Sequence, residues 1–181
     1  MRNVLLKTSS TTENPEVGGF NQLNPDLETT LQERSNLMKH DPFGNLSDWS
    51  PVLELVDDLA DNGQLAECQP GLIRILRYKG NWCLREEVLK RVGEIESPSY
   101  ELICQVLSIL GDDNIYYDAR ILASDALIQL LKNVPDGFNG EINMSVRKEA
   151  ERLRTTPQPA IFDNALKKLY SEIGPVTTLE N

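Results

Sequence analysis

Residues 118–131 read DARILASDALIQLL, and residues 83–95 read CLREEVLKRVGEI. Each segment contains an arginine, Arg120 or Arg85, that is followed three and seven residues later by a small or aliphatic side chain. This spacing places those side chains on one face of an α-helix. The two segments therefore predict two helices with one shared pattern, separated by a period of 35 residues (120 − 85 = 35).

Further helical patterns lie on both sides of these segments. Ser50-Pro51 and Ser97-Pro98 each combine a capping residue with a proline suited to a first helical turn, and a further helix can start near Gln69-Pro70. Short polar turns separate the apolar stripes, and no run alternates in the manner of a strand. The sequence predicts an all-α fold, a short stack of antiparallel helix pairs, with helices near 51–62, 70–79, 84–95, 98–110 and 116–132.

The two ends of the chain differ from this central part. Residues 1–23 are rich in polar residues and predict a flexible N-terminal arm, and Asn24-Pro25 opens a helix that starts the repeat domain at 24–133. Residues 134–174 are predicted to form a C-terminal helical extension, with a break at 134–143 before helices at 145–154 and 161–174. The tail at 175–181 is predicted to be disordered.

Charge and cysteine usage limit the possible partners and the location. The formal net charge is −10, from 28 acidic and 18 basic residues, which disfavours nucleic acid as the main ligand. Cys68, Cys83 and Cys104 show no metal-ligand spacing and are predicted to be reduced core residues. No secretory signal or bilayer-length apolar run is present, so we expect a cytoplasmic protein without membrane insertion.

The second segment carries a recognisable motif. The string D-x-R-x-x-A-x-x-A-L is formed by Asp118, Arg120, Ala123, Ala126 and Leu127. It resembles the HEAT-like repeats first recognised in phycobilisome lyases, and the resemblance covers about residues 50–133. That resemblance implies an α-solenoid, a role in binding other proteins and, in some members, attachment or detachment of bilin pigments. The unit that would begin near residue 50 lacks the arginine, as a capping repeat would.

The motif also has a direct interpretation as packing. Small residues at Ala119, Ala123 and Ala126 allow a neighbouring helix to approach closely. Asp118 favours the positive end of the helix dipole and is a candidate partner for an arginine of a neighbouring repeat. The two arginines are therefore predicted to bridge helices, with anion binding as the alternative.

Catalytic and cofactor motifs are not evident in the sequence. It contains no nucleophile elbow, phosphate-binding glycine loop, H-E-x-x-H string or calcium loop. His40 is the single histidine, and it lies in a predicted turn. We therefore expect no catalytic residue, no cofactor and no metal site.

Aromatic residues mark two equivalent turns. GNW at 80–82 and NIYY at 114–117 lie one period apart, so Trp82 and Tyr117 are expected side by side at one edge of the stack. With Tyr116, Arg85 and Phe20 of the arm they form the predicted partner-binding set. The alternative is that the aromatic rings are buried against a neighbouring helix.

These features favour a non-catalytic adaptor or accessory subunit of a larger protein assembly. Two alternatives remain open at this point. The first is an acidic inhibitor, of the immunity-protein type, that masks a partner's basic site. The second, implied by the family resemblance, is a subunit of a bilin-lyase-like enzyme.

Overall fold

The computed structural model describes residues 41–134 and 139–173. Within these ranges the chain forms seven α-helices and one short 3₁₀-helix at Leu65–Cys68, and it contains no strand, which confirms the predicted all-α fold. The arm at 1–23, Phe20, the helix expected after Pro25, His40 and the tail at 175–181 lie outside the described residues. The α-helices are α1 Trp49–Asp61, α2 Gln69–Arg77, α3 Trp82–Val92, α4 Tyr100–Gly111, α5 Tyr117–Lys132, α6 Asn139–Arg154 and α7 Ala160–Glu172.

Local signals explain the starts of three of the described helices, α2, α3 and α4. The side chain of Asn81 accepts a hydrogen bond from the Leu84 amide at the start of α3, and Ser99 does the same for Leu102 at the start of α4. Pro70 occupies the first turn of α2. These caps satisfy amide groups that would otherwise have no acceptor.

The predicted break at 134–143 is wrong over its second half, because α6 begins at Asn139. A glycine in the first helical turn, here Gly140, does not prevent helix formation. Ile142, Val146 and Ala150 are buried at helical spacing, so the apolar stripe starts before the charged part of the helix.

The helices form two layers. In the first layer α3 packs against α1 and α5, and α5 packs against α7; in the second, α4 lies between α2 and α6. Short turns connect the layers through the pairs α2–α3, α4–α5 and α6–α7. The second layer is thus joined to the first by three helix hairpins, and α1 begins the first layer without a hairpin partner in the described residues.

Neighbours within a layer run parallel. Arg91, near the end of α3, donates to Asp57 in the second half of α1 at 2.9 Å. The Asn133 side chain, after α5, donates to the Ile95 carbonyl, after α3, at 3.0 Å. Lys168 in α7 pairs with Asp125 in α5 at 2.9 Å. The amino-terminal ends of α1, α3, α5 and α7 therefore meet at one edge of the stack.

The core lies between the two layers and is densest around α5. This helix packs against α3, α4 and α7, and its residues Ala119, Ala123 and Ala126 are all buried, as the motif predicts. A Cβ added to Gly93 would lie 3.1 Å from the Cβ of Gln129, which shows how closely the ends of α3 and α5 approach. Small residues thus set the spacing of the first layer.

The three cysteines do not share one environment. Cys68 is buried in the core, Cys104 is half-buried and Cys83 is exposed. The prediction of three core cysteines is therefore wrong for Cys83. This residue is the second of α3, whose buried face instead carries Leu84, Arg85 and Val88.

Candidate functional site

Aromatic side chains gather where the first-layer helices begin. Trp82 is the first residue of α3, Tyr117 is the first residue of α5, and Tyr116 immediately precedes it. The rings of Trp82 and Tyr116 meet edge to face, with centroids 5.0 Å apart. Tyr116 and Tyr117 are exposed and Trp82 is partly exposed, so the structure brings three of the predicted partner-binding residues together at one surface.

The predicted pairing of Trp82 with Tyr117 is wrong in one detail. Trp82 contacts Tyr116, whereas Tyr117 contacts Phe162 of α7 with ring centroids 5.2 Å apart. Trp82 and Tyr117 hold the same position in their helices, and each reaches to the next helix of the layer. Because the two rings point in the same direction along the layer, Trp82 and Tyr117 do not contact each other.

Two more residues extend this surface and were missed in the sequence. Trp49, the first residue of α1, is 48% exposed, and Ile161, the second residue of α7, is 65% exposed. One period back from Trp82 is Ser47 (82 − 35 = 47), two residues before Trp49, so the repeat gives only an approximate position for Trp49. Nothing in the sequence marks Ile161, because the motif does not recur in α7. We call the surface formed by Trp49, Trp82, Tyr116, Tyr117 and Ile161 the aromatic edge.

The aromatic edge holds most of the exposed apolar bulk of the described residues. Six large hydrophobic residues are exposed among the described residues, and four of these six belong to the aromatic edge. The other two are Tyr100, at the start of α4 and hence at the opposite edge, and Met144 in α6. Exposed apolar side chains that collect at one place are characteristic of binding surfaces.

Arg120 lies buried behind the aromatic edge and donates two hydrogen bonds. Its Nε donates to the Leu110 carbonyl at 2.9 Å, and Nη2 donates to Asp113 at 3.0 Å. The guanidinium carbon also lies 4.5 Å from the ring centroid of Phe162. Arg120 therefore bridges α4 and α5, as predicted for this arginine, and its carboxylate partner is Asp113 in the turn between the two helices.

Arg85 occupies the equivalent position in α3 and has a different environment. It is only 5% exposed, and its guanidinium carbon lies 4.3 Å from the centroid of the Trp82 ring. Its Nε has no hydrogen-bond acceptor. Burial lowers the pKa of the guanidinium, and the charge of nearby Asp112 opposes this only in part. The edge thus covers a buried cation.

Tyr116 is fixed at the edge by its hydroxyl group, which donates a hydrogen bond to Glu86 of α3. Burial first, and then this hydrogen bond with the charge of Glu86, raise the pKa of Tyr116 well above its usual value. The contact joins the beginning of α5 to α3. It holds the ring of Tyr116 against Trp82 while leaving its outer face exposed.

Open grooves are also present on the second layer. One groove of about 510 Å³ lies between the starts of α4 and α6 and is lined by Tyr100, Glu101, Glu141 and Ile142, among others. A second, of about 570 Å³, lies between the ends of the same helices. Among the residues that the structure describes, no group of three or more His, Cys, Asp or Glu side chains is arranged to hold a metal ion.

Comparison of the chain with protein-family models, curated proteins and solved structures finds no match. Within residues 41–134 and 139–173, no helix combines the length and the apolar character needed to cross a membrane.

Proposed function

We propose that this chain is a non-catalytic, protein-binding adaptor or accessory subunit, and that it grips its partner through the aromatic edge. One observation carries the proposal: exposed or partly exposed aromatic and aliphatic side chains from the four parallel helices of the first layer lie at a single edge of the stack. The resemblance of residues 50–133 to HEAT-like repeats supports it, because stacked repeats present extended surfaces to other macromolecules.

The composition of the edge suits a protein partner. Tryptophan and tyrosine bury large areas at a low cost in conformational entropy, and they are enriched among residues that dominate binding energy. Trp82 and Tyr116 are already held against each other and by Glu86, so little ordering is needed when a partner docks. Phe20 of the arm belongs to the same proposal as an additional contact.

The test is a comparison of matched aromatic variants in the native complex. The tagged full chain is purified from its own cells, its partner is identified, and the affinity of the purified pair is measured for Trp49→Ala, Tyr116→Ala and Tyr100→Ala. We expect each edge variant to weaken binding by more than about 1 kcal/mol, roughly fivefold. Tyr100→Ala, at the opposite edge, should leave the affinity unchanged.

Circular dichroism controls for folding in each variant. Equal losses at the two edges, or no loss at the aromatic edge with the fold intact, would refute this binding surface. The alternative of an acidic inhibitor is favoured by the net charge of −10. It predicts a single partner whose affinity falls steeply with salt, whereas binding through the apolar edge depends only weakly on salt.

A further inference from the structure

Two arginines at the same repeat position have opposite hydrogen-bonding states. Arg85 and Arg120 are each the fourth residue of a first-layer helix, and both are more than nine-tenths buried. Arg120 donates to the Leu110 carbonyl and to Asp113, whereas Arg85 makes no hydrogen bond to the described protein and its Nε is sealed without an acceptor. A buried guanidinium without an acceptor is destabilising, so its retention calls for an explanation.

Stacking on an aromatic ring does not explain the difference. Arg85 lies over Trp82, and Arg120 lies over Phe162 and Tyr117. Arg120 therefore has the same kind of ring contact and makes its hydrogen bonds as well. The ring contact and the acceptors are separate requirements, and Arg85 has only the first of them.

Among residues 41–134 and 139–173, no carboxylate forms a hydrogen bond with Arg85. One period before Asp113 stands Tyr78 (113 − 35 = 78), whose side chain is a phenol and not a carboxylate. Asp112 is near enough to influence Arg85, but its Oδ1 accepts from the backbone and side-chain nitrogens of Asn114. Glu86 accepts from the hydroxyl group of Tyr116. The acceptor present in the second repeat is therefore missing from the first.

We propose that Arg85 binds a carboxylate side chain, an aspartate or glutamate, contributed by the protein partner at the aromatic edge. Of its three nitrogens only Nε is sealed, so a carboxylate would approach end-on through the two terminal nitrogens beside Trp82 and Tyr116. This inference rests on the proposed function, since it adds a charged contact to the same surface.

A carboxylate fits this position better than a phosphate group. The equivalent arginine, Arg120, is held by the carboxylate of Asp113. Asp112 and Glu86 lie close to the proposed contact, and their charges would repel a doubly charged phosphate more strongly than a singly charged carboxylate.

The test follows the Nε–H signals of both arginines by nuclear magnetic resonance in the ¹⁵N-labelled full chain. Arg85→Lys and Arg120→Lys assign the two signals. A glutamate hexapeptide with blocked ends is titrated into the millimolar range, and a glutamine hexapeptide at matched ionic strength and inorganic phosphate serve as controls. We expect a saturable shift of the Arg85 signal with the glutamate peptide alone, and a nearly constant Arg120 signal.

Other outcomes would overturn the inference. These are no saturable shift with the glutamate peptide, equal shifts of both arginines, an equal response to the glutamine peptide, or binding of phosphate without binding of the glutamate peptide. If the titration shows no binding but Trp49→Ala loses the complex, the carboxylate contact is refuted and the aromatic edge is still supported as the binding surface. If the glutamate peptide binds but the complex is unaffected in the edge variants, the proposed function of the aromatic edge is refuted instead.

Discussion

Replacing each of the two buried arginines by methionine should change the stability of the fold by very different amounts. Methionine is similar in length and apolar, so it fills most of the space of the arginine stem without its charge. Arg120→Met removes a side chain with two hydrogen-bond partners. Arg85→Met removes a side chain that has no hydrogen-bond partner among the described residues, so only its contact with the Trp82 ring is lost.

The magnitudes follow from these contacts. Loss of the Leu110 bond costs about 0.5–1.5 kcal/mol, and loss of the charged bond to Asp113 about 1.5–3 kcal/mol. The cost of losing the bond to Asp113 should lie near the lower end of that range, because the Asp113 side chain is 66% exposed and solvent screens its charge. Arg120→Met should therefore destabilise the fold by about 2–4 kcal/mol. In Arg85→Met, a ring contact of about 0.5–2 kcal/mol is lost and a similar desolvation penalty is relieved, so the net change is near zero.

The assay is urea unfolding followed by far-ultraviolet circular dichroism, with melting temperatures as a second measure. At about 2–4 °C per kcal/mol for a chain of this size, Arg120→Met should melt roughly 4–16 °C lower, and Arg85→Met should melt close to the unsubstituted protein. If Arg85→Met lost as much stability as Arg120→Met, Arg85 would have hydrogen-bond acceptors within the folded protein. That result would refute the proposal that its acceptor comes from a partner.

Three further outcomes are expected. Ala123→Leu should destabilise by roughly 1–3 kcal/mol through overpacking at a fully buried position, and an unchanged unfolding midpoint would show that Ala123 is not at a close contact. The fold raises the pKa of Tyr116, so the stability that its neutral hydroxyl contributes is complete below the usual tyrosine pKa and is lost as pH rises through the raised value. The pKa of Tyr100 is also raised, so ultraviolet titration should show late-ionising tyrosines, and part of this late absorbance should move to lower pH in Glu86→Gln. Iodoacetamide should label exposed Cys83 in the native protein, whereas buried Cys68, whose thiol pKa is raised by desolvation, should be labelled only after unfolding, as peptide mass spectrometry would show.

The sequence predicts the helices well because their signals are local. Asn81, Ser99 and Pro70 act within one helical turn, and the apolar stripes require no knowledge of the partner helix. The start of α6 was missed because Gly140 resembles a helix breaker, although Ile142 already begins the buried stripe. That decision depends on tertiary burial, which no local rule contains.

The site was predicted only in outline. Periodicity locates Trp82 and Tyr116 at one edge, but it does not show in which direction each ring leans or that Arg85 is buried beneath one of them. The partner of Arg120 depends on the shape of the turn before α5, which brings Asp113 within 3.0 Å of the guanidinium and leaves Asp118 exposed. Such pairings are three-dimensional and cannot be obtained from spacing along the chain.

The central hairpin, α4 with α5, is the pair that contacts α2, α3, α6 and α7. In a stack where each unit meets only its neighbours, cooperativity passes through such a central unit, and the outer helices open before it does. Amide protons of α5 should accordingly exchange with solvent most slowly. Trp82 and Tyr116 meet across the boundary between α3 and this hairpin. A partner bound there would be attached to the slowest-opening part of the molecule, and transient opening of α1 or α7 would leave that attachment in place.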